Sequence, residues 1–110
     1  MAIPHAKPGE VMNVRPLGTQ IPATITYTIV KTDDLEVIRI VLDAGKSLPP
    51  HRVPGEITVQ CLEGKVAFSV GELRRELTQG DFLYLAGGSE HALHALENSS
   101  LLVSILLEHK

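Results

Sequence analysis

The sequence predicts an all-β sandwich, barrel or jelly roll, and three observations carry that prediction. Short stretches rich in β-branched and aromatic residues recur about every ten residues. Turn-forming pairs separate them, including Glu63-Gly64, Gly71-Glu72, Gly87-Gly88 and Asn98-Ser99. No segment carries apolar periodicity over the length a helix needs.

Residues 1–10, with Pro4, Pro8 and Gly9, read as an extended N-terminal arm, and residues 11–110 as a single barrel domain. TITYTIV (24–30) has the composition of a strand, and the polar turn KTDD leads from it into LEVIRIVL (35–42). AGKSLPPHRVPGE (44–56) follows, with two glycines and three prolines. It reads as a long irregular connection, because proline lacks the N–H a central strand must donate. EITVQCL (56–62) and KVAFSV (65–70) read as a tight hairpin across Glu63-Gly64, with glycine supplying positive φ. LRRELT (73–78), FLYLA (82–86), HALHALE (91–97) and LLVSILL (101–107) complete the set.

Alternation assigns faces. Ile57, Val59 and Cys61 share one side of their strand, opposite Thr58 and Gln60. Val66, Phe68 and Val70 share a side of the next. The barrel interior is thus expected to be apolar. The last strand is apolar on both faces, Leu101, Val103, Ile105 and Leu107 on one and Leu102, Ser104 and Leu106 on the other. One face can fill the barrel, and the other needs a partner or the arm to cover it. A homodimer is the expectation.

The totals exclude several classes. A chain of 110 residues, 44% hydrophobic, is one globular domain rather than a disordered one. Net charge is −3, and the only adjacent basic pair, Arg74-Arg75, is flanked by Glu72 and Glu76, so no nucleic acid is expected. A single cysteine, Cys61, makes no internal disulfide and reads as buried and inert. MAIPHAKPGE lacks a signal-like apolar run and LLVSILL is too short to span a bilayer. The expectation is a soluble cytoplasmic protein without membrane contact.

Two stretches resemble the cupin family in their spacing. The family's first motif runs G-x5-H-x-H-x3–4-E-x6-G. Here Gly45 is followed after five residues by His51, Val53 stands at the second histidine, and Ile57 stands at the glutamate when counted back from Gly64. The second motif runs G-x5-P-x-G-x2-H-x3-N. Gly80, Gly88 and His91 fit it in register, with Ala86 at the proline and Ala95 at the asparagine. The resemblance covers about residues 35–107. It implies a double-stranded β-helix, or jelly-roll barrel, of the small single-domain kind.

In typical members the three motif-one ligands and the motif-two histidine hold one divalent metal. This chain keeps His51 and His91, and replaces the other two with Val53 and Ile57, which offer no lone pairs. Two imidazoles make a weak site, open at most to loosely bound Zn, Ni, Fe or Mn. Glu56 would complete a His2Glu set only if a bulge turned it inward, since it neighbours Ile57 and alternation faces it outward. His94, three residues after His91, is expected on the opposite face.

The resemblance leaves two functional readings. The first is a binding module for a small molecule, with an apolar pocket lined by Ile38, Ile40, Val53, Ile57, Val59, Cys61, Phe68 and Leu93 and with His51 and His91 at its mouth. The alternative is a metal-dependent enzyme, dioxygenase- or isomerase-like, using His51, His91 and Glu56. A metal-free epimerase would need a tyrosine acid beside its histidine, and the sequence offers only Tyr27 and Tyr84 without placing either near His91.

Overall fold

A computed structural model of the protein describes residues 5–107. The described residues form nine strands: β1 (Tyr27–Lys31), β2 (Leu35–Leu42), β3 (Ser47–His51), β4 (Ile57–Glu63), β5 (Lys65–Val70), β6 (Leu73–Thr78), β7 (Phe82–Leu85), β8 (His91–Ala95) and β9 (Ser99–Leu106). They make two antiparallel sheets, one in the order β1-β2-β9-β4-β7 and one in the order β3-β8-β5-β6. The sheets close face to face over an apolar core that includes Val59, Phe68, Leu93 and Leu101. This is the all-β jelly-roll barrel that the alternating pattern calls for.

Two local expectations are corrected. The proline-rich stretch 44–56 is not wholly irregular, because Ser47–His51 forms β3. β3 is an edge strand paired only with β8, and its register shifts between Leu48 and His51. Pro49 and Pro50 fall in that shift, at the sheet edge where a missing N–H leaves no ladder bond unmade. The second correction concerns Glu63-Gly64, which does not close a hairpin. β4 and β5 lie in different sheets, so the chain turns a corner there instead. Gly64 takes φ +86, and a Cβ on it would collide with the Ser99 hydroxyl and the Asn98 carbonyl.

The corner carries a buried polar clasp. The register shifts between Cys61 and Glu63, so Glu63 leaves the inward face its alternation would give it. Its carboxylate accepts from Ser100 Oγ at 2.5 Å, from the N–H groups of Leu17 and Gly18 at 2.8 and 2.9 Å, and from Arg39 at 3.1 Å. Burial alone would raise the Glu63 pKa, but these hydrogen bonds and the Arg39 charge outweigh it and hold the carboxyl below its ordinary value. Arg39, itself buried, also donates to the Arg15 carbonyl at 2.6 Å. The clasp ties residues 15–18 down, and Ile21, in the 3-10 turn Gly18–Ala23 that follows, is buried. The rest of the outer face of the five-stranded sheet is more open: Phe82, Tyr84 and Leu106 are 63%, 57% and 52% exposed.

Of the arm expected over 1–10, residues 1–4 lie outside the described residues. Lys7-Pro8-Gly9-Glu10 is a tight turn, with Gly9 at φ +83 and Glu10 N–H donating to the Lys7 carbonyl at 2.9 Å. Among the described residues, no helix is long and apolar enough to cross a membrane.

Candidate functional site

A cavity of about 100 Å³ lies between the sheets at one end of the barrel. β2 supplies Ile38 and Ile40, β4 supplies Ile57 and Val59, and β9 supplies Val103 and Ile105. Each pair is spaced by two, so alternation alone puts both members on the same wall. From the opposite sheet come Leu48, Phe68 and Leu93, with His51 and His91 as the only titratable groups in the lining among the described residues.

Register brings the two histidines together. His51 on β3 and His91 on β8 are cross-strand partners, and their ring centroids lie 4.3 Å apart at 60°. His91 is 6% exposed and stacks nearly parallel on Phe68, centroids 5.8 Å apart. His51 is exposed and stands at the mouth. The Nδ1 of His91 lies 3.0 Å from the Ser89 carbonyl, and the Nδ1 of His51 lies 3.3 Å from the Pro49 carbonyl. A carbonyl only accepts, so each Nδ1 carries a proton, and whenever a ring is neutral its lone pair is on Nε2. The site is therefore an apolar chamber with two acceptor nitrogens.

The mouth wall is held by glycines. Val53 accepts from Gly88 N–H at 2.8 Å, and Glu56 accepts through its backbone carbonyl from Leu106 N–H at 3.0 Å. A Cβ on Gly55 would strike the Leu106 carbonyl oxygen, and one on Gly87 the Pro54 carbonyl oxygen. Only glycine permits this approach, and it fixes Val53 in the lining. An exposed Arg52–Glu90 ion pair of 3.1 Å spans the same two loops and adds little.

Glu56, the two tyrosines and Cys61 all lie outside the cavity lining. Glu56 does not join the imidazoles. It is exposed, and its Oε2 accepts from the Tyr84 hydroxyl at 2.6 Å on the outer face. The strand alternation at Ile57 prevails, with no bulge to turn Glu56 inward. That bond to Glu56 holds the Tyr84 phenol above its ordinary pKa. Neither tyrosine lines the cavity, since Tyr27 sits across from Arg39 on the outer face, so no tyrosine–histidine acid–base pair forms. Cys61 is 1% exposed in the core but lies beyond the cavity lining, its thiol pushed up in pKa chiefly by burial. Leu48, Val103 and Ile105 join the lining without having been singled out from the sequence. The alternation of β9 was legible, but its placement between β2 and β4 was not.

Among the described residues, no group of three or more His, Cys, Asp or Glu side chains could hold a metal ion. Val53 and Ile57 occupy cavity positions where a third and fourth donor would have to stand. The donor set does not fit a three-ligand metal centre. His94 points away from the cavity and is met by Ser47 on the outer face.

A family model for the cupin domain matches residues 38–106. A conserved protein of unknown function from Streptococcus pyogenes superposes with a TM-score of 0.77 at 20% identity, over 100% of this chain and 97% of its own. A cupin superfamily protein from Desulfitobacterium hafniense gives 0.78 at 17% identity, over 94% of this chain and 100% of its own. KdgF from a Halomonas species gives 0.68 at 21% identity, over 77% and 80%. At these identities the likeness is one of fold. No curated protein matches the chain.

Proposed function

This chain belongs to the cupin family, and on that premise we propose that it binds a small, neutral, mostly apolar molecule carrying a hydrogen-bond donor. The observation that supports this reading is the pairing of an apolar chamber with two Nε2 acceptors 4.3 Å apart in ring centroid. Among the described residues no lysine, arginine or hydroxyl lines the chamber, so an anion or a sugar would lose its hydration without replacement. The chamber is smaller than the roughly 150 Å³ that encloses benzene, so the enclosed part of the ligand is about a short alkyl group, with the donor group at the histidines. Loose adsorption of a divalent ion by the imidazoles fits the same donors. The dioxygenase- or isomerase-like alternative lacks its third ligand while Glu56 is engaged by Tyr84.

The self-association expected from the last strand is proposed through the outer face of the five-stranded sheet. Cross-strand register aligns Leu102 with Gln60 and Gln60 with Phe82, and beside that row Ser104, Thr58 and Tyr84.

The binding reading is tested by amide NMR titration with 1-butanol and butyramide, against butyrate and glucose as controls. The alcohol and the amide are expected to shift Phe68 and His91 saturably, and His91→Ala to weaken both. Equal response to butyrate, or no response in the chamber, would overturn it.

A further inference from the structure

The four-stranded sheet carries a second concavity on its outer face, of about 360 Å³, lined by Ser47, Ser69, Arg74 and His94 as well as by apolar residues. That volume falls in the range of small-molecule sites, about 300–1,000 Å³. Ala67 and Ala92 floor it, and Pro49 and Pro50 of β3 form an apolar wall. Its polar groups come from all four strands of the sheet, Ser47 and His94 joined across β3 and β8, and Ser69 and Arg74 paired across β5 and β6.

These groups present donors. Ser47 Oγ and His94 Nδ1 are 2.6 Å apart. The neutral pair holds two polar hydrogens, one on the hydroxyl and one on the ring. One is consumed between them, so whichever tautomer forms, the other is left to point outward. The Ser69 hydroxyl adds a further donor. Arg74 adds a planar fork of five N–H groups, and it forms no ion pair among the described residues. Among the described residues, no carboxylate lines the concavity. Glu76, two residues along β6 on the same face, stands opposite Ala67 and lies outside the lining.

We propose that this outer groove, formed by Ser47, Ser69, Arg74 and His94, binds an organic carboxylate with an apolar body. The guanidinium and the outward donors match the two carboxylate oxygens, and the proline wall and alanine floor take the apolar part. The site is separate from the interior chamber. β8 serves both, turning His91 inward and His94 outward.

The test is an amide NMR titration of the full chain with sodium benzoate at constant ionic strength. Saturable shifts are expected at Ser47, Ser69, Ala92 and His94. Arg74→Gln should weaken binding about tenfold or more, the scale of a charge-assisted bidentate contact. Arg75→Gln removes the same charge one residue on, opposite Phe68 and outside the groove, and should leave affinity unchanged. The proposal is overturned if no saturable shift appears, or if the two arginine variants weaken binding equally. Inorganic phosphate binding as tightly as benzoate would overturn the assignment of the ligand, because it would leave the apolar wall without a role.

Discussion

Replacing Glu63 by glutamine should unfasten the segment before β1 and lower stability steeply. The carboxylate collects two backbone N–H groups, one hydroxyl and one guanidinium at 2.5–3.1 Å. An amide of the same shape keeps one acceptor oxygen but turns an NH2 group toward donors. It also leaves Arg39, 1% exposed, without its counter-charge. Removing one partner of a buried ion pair costs about 3–5 kcal/mol, and the retained oxygen argues for the lower end, about 3 kcal/mol. Against a total stability of about 5–15 kcal/mol this is a large fraction. The sign of the pH dependence follows from the depressed Glu63 pKa. Both folded and unfolded states are ionised above the ordinary value of 4.5, so the full contribution is present there. It is lost as pH falls through the lower folded value. The gap between wild type and Glu63→Gln in urea unfolding should therefore be widest near neutrality and narrow in acid. Amide exchange at Leu17 and Gly18 should accelerate in the variant. A loss below about 1 kcal/mol with unchanged exchange at those two amides would show that the Glu63 carboxylate does not fasten this segment.

Further outcomes can be checked separately. Phe82→Asp, at a 63% exposed position, should shift sedimentation from dimer to monomer without altering the fold, and a monomeric wild type would contradict the proposed interface. Gly55→Ala should lower the thermal midpoint and disorder the mouth loop, because its methyl meets the Leu106 carbonyl backbone and not a movable side chain; a midpoint within a degree or so of wild type would refute this. The double change Val53→His with Ile57→Glu, both in the cavity lining, should create tight nickel binding by calorimetry. Without metal it should destabilise, since a carboxylate is then buried among apolar walls.

Most strands were legible because one face of each is buried and alternation marks it, as in Ile57-Val59-Cys61 and Val66-Phe68. β3 was missed because its prolines argue against a central strand and say nothing against an edge. The corner at Gly64 was misread because a positive-φ glycine announces a change of direction and not which sheet the chain enters next. Glu63 shows the deeper limit. Its outward facing depends on a one-residue register shift against β9, a pairing between segments nearly forty residues apart. At the site, the spacing of His51 and His91 anticipated two rings near one mouth. Their tautomers and the outward turn of Glu56 depend on carbonyls and on Tyr84, which pattern alone does not place.

The two imidazoles, in an apolar chamber with Val53 and Ile57 among its walls, are proposed to act without a tightly held ion. Elemental analysis of protein purified without an affinity tag tests this most directly. The expected content is transition metal far below one ion per chain, removable by brief dialysis against chelator. Near-stoichiometric iron, manganese or zinc that survives dialysis and disappears in His91→Ala would contradict it.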